Sequence, residues 1–258
     1  MNRRDYLAIG ASVGAAGLSG CSSFFAAAET PRPSVPTDRL ESGGWEQTEE
    51  NSGTVLEEAY GPVTLTAVQH TLQYQDAELA QTVADRTLGQ VQTALSVWFA
   101  SRIDFSPNLD NLPAGVGQEQ IVDQVRANAR NQFEQQMQNQ GLTGIEQTGT
   151  GSIDVDTGET AETVDLTAVY PFEGISFDVS ESESVEIPPT DIAIDAVLAV
   201  WHHGDYVLVS GGAYPAENFA QSIDSDLSAG ISVTVDVDLG LEPEAYREEV
   251  RSLVAGVQ

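Results

Sequence analysis

The chain has 258 residues, and its 40 acidic side chains against 10 basic ones leave a net charge of −30. Every base is arginine, and none of them cluster beyond one adjacent pair near the start, so the balance excludes nucleic-acid binding, which needs a basic footprint. A hydrophobic content of 41% supplies enough apolar mass for a core and excludes disorder as a description of the whole chain.

The first twenty residues read as an export signal. Arg3 and Arg4 precede a short, weakly apolar stretch, Tyr6–Gly20, rich in alanine and glycine. Crossing a bilayer takes about 20 apolar residues, so this stretch is short for a membrane span. A charged start, a short apolar core and a small-residue end form the pattern of a cleaved signal. The arginine pair points to the twin-arginine translocase, which carries folded cargo. Leu18-Ser19-Gly20-Cys21 then resembles a lipobox, where lipoprotein signals are cut before a lipid-modified cysteine. Cys21 is the single cysteine, so it has no partner for an intramolecular disulfide. Lipid on Cys21 implies a membrane-anchored protein on the extracellular face of the cytoplasmic membrane. Pro31, Pro33 and Pro36 favour extended chain. Residues 1–20 are therefore expected as signal, 21–44 as lipidated cysteine and tether, and 45–258 as one folded domain.

In that domain, 54–60 and 63–74 read as strands parted by Gly61-Pro62. A helix is expected over 77–95 on an imperfect stripe of Leu79, Val83, Leu88, Val91 and Leu95, followed by an alternating strand over 97–105. The cleanest helix spans 118–140: Ile121, Val125, Ala129, Phe133 and Met137 step by four along one face, and its glutamines suit a hydrated outer face. Strands follow at 144–155 and 160–170, joined by a turn at 156–159, with shorter ones at 175–179 and 184–187. A strong pair covers 191–201 and 206–210. The glycines of SGGAYP at 210–215 read as a turn into a helix over 216–228 that presents Phe219, Ile223 and Leu227. A strand over 231–239 and a helix from Pro243, burying Tyr246, Val250, Leu253 and Val257, end the chain. The fold expected is α+β: a largely antiparallel sheet packed with about four helices. Both halves read strand, strand, helix, strand, helix, the order an internal duplication would leave.

The residues that could carry chemistry are few. His202 and His203, with Asp205 two residues on, could ligate zinc if the chain turns there; a short polar hairpin tip explains the same residues without metal. His70 lies inside a strand pattern. Asp154 and Asp156 are spaced as in a calcium loop, but Glu159 stands where that loop needs glycine and Asp165 where it needs glutamate. The sequence contains no G-x-S-x-G elbow for a serine nucleophile. No catalytic, metal or cofactor residue is therefore assigned, and no cofactor is expected.

The signal RRDYL, the lipobox and the acidic bias together make the chain similar to twin-arginine-exported lipoproteins of halophilic archaea. At molar salt the Debye length shrinks to about 3 Å, so a surface this acidic no longer repels itself. The resemblance implies location, export route and solvent, and no particular activity. The function expected is a non-catalytic binding or structural role at the cell surface. The alternatives are a solute-binding component of a transporter and a secreted metal-dependent hydrolase using the His202/His203 region. The anchor is tested by Cys21→Ser: the variant is expected to leave the membrane fraction on a high-salt wash, and its retention there would place the anchor elsewhere.

Overall fold

The computed structural model describes residues 31–258 except 61–62, 88, 90, 92–93, 110–111, 113–116, 181–182 and 229–230, with backbone alone at 175, 177–180, 183, 225–228, 231 and 233. Arg3, Arg4 and Cys21 lie outside the described residues. The elements in order are α1 (Thr37–Ser42), β1 (Trp45–Tyr60), β2 (Val63–Asp76), α2 (Ala77–Arg86), β3 (Val97–Ser106), α3 (Gln118–Asn139), β4 (Thr143–Asp154), β5 (Thr160–Phe172), β6 (Ile175–Ser180), β7 (Glu183–Ile187), β8 (Thr190–His203), β9 (Tyr206–Pro215), β10 (Ala220–Ser228), β11 (Ile231–Asp238) and α4 (Pro243–Ala255).

One antiparallel sheet of seven strands organises the molecule, in the order β1-β2-β3-β9-β8-β5-β4. Its central strands are buried on both faces, which is why Ala193–Trp201 and Val207–Tyr214 read as nearly unbroken apolar runs. On one face Leu65, Ala67, Ile103, Leu166, Leu198 and Val209 meet α2 and α3. On the other, Leu72, Trp98, Val197, Trp201 and Leu208 meet α1 and α4 through Leu40, Val250, Leu253 and Val254. The hairpins β6-β7 and β10-β11 form separate two-stranded sheets.

The α+β class and the antiparallel sheet with four helices hold among the described residues, and several elements differ from expectation. The strand expected from residue 54 begins at Trp45. The helix expected to reach 95 stops at Arg86, where the Thr87 hydroxyl donates back to the Val83 carbonyl at 2.7 Å and accepts from the Val91 amide at 3.1 Å. SGGAYP is the second half of strand β9, and the expected helix over 216–228 is strand β10, paired antiparallel with β11. With that helix gone, the second half no longer repeats the element order of the first. Packed structure also begins before residue 45. Ser34 and Gln258 exchange two backbone hydrogen bonds of 2.6 and 2.9 Å, and Arg39 bonds the Ser252 carbonyl and Asp156.

Asp76 ends β2 and caps α2, its carboxylate accepting from the Leu79 amide at 2.8 Å. It is buried, and burial raises its pKa from 3.8 to about 6, with Glu249 and Glu78 adding to the rise against the Leu79 bond. The folded state therefore holds this proton more tightly than the unfolded chain, and stability falls as pH rises from about 4 through about 6. At about 1.4 kcal/mol per pKa unit the loss is about 3 kcal/mol. Asp76→Asn keeps a capping side chain and is expected to remove that part of the fall, leaving the variant more stable than wild type at neutral pH by a similar amount. Denaturant unfolding of both proteins from pH 4 to 7.5 at constant salt checks this; parallel curves would refute it.

Candidate functional site

Helix α3 seats Ile121, Val125, Phe133 and Met137 on the sheet. Between it and strands β1, β2, β3 and β9 there remains a cleft of about 400 Å³, within the range of roughly 300–1,000 Å³ for small-molecule sites. Along β2 the inward face changes character: Leu65 and Ala67 are apolar, whereas Gln69, Thr71 and Gln73 are polar, and all but Leu65 line the cleft. The register pairs Thr71 with Ser101 and Ser101 with Val209, which sets these three side by side across the floor. On β1 the register shifts between Thr54 and Leu56. The shift falls within the run Asn51–Leu56, all six residues of which line the cleft.

Phe99 and Phe133 form the apolar plate, with ring centroids 5.4 Å apart at a 51° tilt. Gly211 makes room for it: a Cβ there would lie 3.1 Å from the Phe99 ring and 2.6 Å from the Val197 carbonyl oxygen. The Gln136 amide donates to the Gln73 carbonyl at 2.8 Å, tying helix to sheet. Gln73, Phe99, Phe133 and Gln136 also line a second cavity of about 350 Å³ toward the C-terminal end of α3. The glutamines expected on a hydrated outer face thus divide: Gln124, Gln132 and Gln136 face the cleft.

Among the described residues none that lines the first cleft is charged, although 40 of the chain's 258 residues are acidic. Glu58, beside it, accepts from Tyr60 at 2.7 Å and from Gln124 at 2.7 Å. These bonds hold its carboxyl below the usual range, the Tyr60 hydroxyl most strongly.

The histidines do not come together. His202 faces α3, where the Gln118 amide nitrogen lies 2.8 Å from its Nε2. His203 faces the opposite side, with Nδ1 2.8 Å from Glu159 and its ring edge-on to Tyr206. Gly204-Asp205 forms the two-residue turn between β8 and β9, with Gly204 at φ +60°. His70 Nε2 lies 2.8 Å from Glu50. Asp156 is paired with Arg39 at 2.8 Å, while Asp154 accepts from the Thr160 hydroxyl. Among the described residues no three histidine, cysteine or acidic side chains converge as a metal site would require.

The sequence model of the domain of unknown function DUF6517 matches residues 32–258. The chain belongs to that family. No curated protein and no solved structure matches it. In this DUF6517 domain the Phe99 ring that lines the cleft depends on the bare backbone at Gly211. Gly211→Ala is expected to cost about 1–3 kcal/mol by overpacking. Gly53→Ala, on β1 with nothing within 4 Å of the added methyl, is expected to stay within about 0.5 kcal/mol. Chemical denaturation of the two variants checks the contrast.

Proposed function

We propose that this protein is a lipid-anchored surface protein of a halophile, held at the extracellular face of the cytoplasmic membrane through Cys21, whose folded domain binds a small uncharged solute without transforming it. The observation that carries the reading is the cleft under α3: concave, mixed in polarity, and lined by no charged residue among those described, in a chain of net charge −30. Solvation alone favours carboxylates at the surface of such a protein; leaving them out of one concave lining favours a ligand that has no charge to match. The separate seats of His202 and His203 weigh against a hydrolase built on that pair. A receptor delivering solute to a transporter is the variant of this reading that the Phe99–Phe133 plate favours, because aromatic and apolar side chains give a small ligand most of its buried contact.

Ala129 is half-buried on α3 and lines the cleft, so a large ring there fills it from the helix side. In equilibrium dialysis against a small-molecule extract of the spent medium, wild type is expected to concentrate at least one solute that Ala129→Trp does not. Identical uptake by the two folded proteins would overturn the reading.

A further inference from the structure

We propose that the cleft takes a neutral polyhydroxylated ligand, a sugar or polyol, at a triad formed by Gln69, Thr71 and Ser101. This rests on the cleft being a binding site and adds the chemical class of what it binds.

The argument is a count of protons. Gln69 Nε2 lies 2.8 Å from Thr71 Oγ1 and 3.0 Å from Ser101 Oγ, and the two hydroxyl oxygens lie 2.7 Å from each other. Three close contacts need three protons. With the amide nitrogen toward the hydroxyls, the amide gives two and one hydroxyl gives the third. With the amide reversed, only the two hydroxyl protons would be present, one too few. The orientation is therefore set by its neighbours, and it leaves one hydroxyl proton and the Gln69 carbonyl oxygen with no partner among the described residues. Thr71 is 8% exposed and Ser101 fully buried. A buried hydroxyl proton left unbonded costs about 1–3 kcal/mol, and the Gln69 carbonyl stands on a half-buried side chain that lines the cleft, so the triad offers a ligand one donor and one acceptor.

A ligand hydroxyl meets that pair with a single atom, since its oxygen accepts and its proton donates. A trans peptide group presents its N–H and C=O in opposite directions and cannot meet both at one point. A carboxylate or ammonium satisfies one half of the pair and enters a lining with no countercharge, where burying the ion is costly. Further amides stand on the helix wall, Gln124, Asn128 and Gln132 among them, each carrying donors and an acceptor as hydroxyls do. The Phe99–Phe133 plate gives the C–H face of a sugar ring an apolar surface. The polar groups thus come from both walls, as a ligand with hydroxyls around its rim requires.

Calorimetric titration of the full-length protein in molar salt uses glucose, myo-inositol and trehalose as probes. Glucuronate, glucosamine and N-acetylglycine amide serve as comparators. At least one neutral polyol is expected to bind ten times more tightly than any comparator, with an affinity that changes less than twofold between molar and lower salt over the range where the protein stays folded. The double variant Thr71→Val/Ser101→Ala removes the spare proton, and Gln69→Glu turns both hydroxyl protons inward onto a carboxylate; each is expected to weaken that binding about tenfold or more. A polyol bound equally well by either folded variant would overturn the triad. Should the variants not fold, the preference of wild type for neutral over charged sugars decides. If no polyol binds while wild type still takes up another solute that Ala129→Trp excludes, the ligand class falls and the binding reading stands; if no uptake depends on Ala129, both fall.

Discussion

Two adjacent glycines in the middle of β9 set how closely the helices approach the sheet. Successive strand residues face opposite sides, so Gly211 and Gly212 each clear one face. A methyl on Gly211 would press on the Phe99 ring, and one on Gly212 would lie 2.9 Å from Val250 of α4. The plate under α3 and the seat of α4 are thus consequences of the same dipeptide. Both faces of β8 and β9 can then be buried, which makes the sheet the middle of three layers and leaves helices to meet solvent.

The acid-rich composition and the uncharged cleft belong to one design. Most carboxylates stand at the surface, and the cleft carries its polarity as amides and hydroxyls. Gln69, Thr71 and Ser101 hold one another across two strands, and Gln73 bonds Gln136 between sheet and helix. Such a network holds its geometry without ions, and its hydrogen bonds are not screened by the salt that governs the outer surface.

Much of the fold is legible in the sequence because its strongest elements carry a single period. The stripe of α3 and the alternation of β3 and β11 admit one reading each. The segment 219–227 shows where this fails. Phe219, Ile223 and Leu227 are four apart, a spacing that places them together on a helix and, being even, also on one side of a strand. The pairing of Ile223 with Val235 decides for the strand. SGGAYP fails for a related reason: glycines suggest a turn until the packing on either side gives each of them a steric purpose. The cleft was not legible at all. Gln124, Gln132 and Gln136 each sit one residue before an apolar anchor of α3, and nothing local says that the helix flank faces a gap instead of water. That gap is made by β1, β2 and β3, far away in the chain, and the triad by a register between Thr71 and Ser101.

The backbone pair between Ser34 and Gln258 bears on the timing of folding. The sheet itself is stitched by a late event, because β3 waits for β9 before Val97 can pair with Ala213. The face opposite the cleft then waits for α4, and residue 34 waits for the last residue. Until α4 is in place, Trp98, Trp201 and Leu208 lose the cover of Val250, Leu253 and Val254. Closing that face brings together contacts distant in sequence, which slows folding.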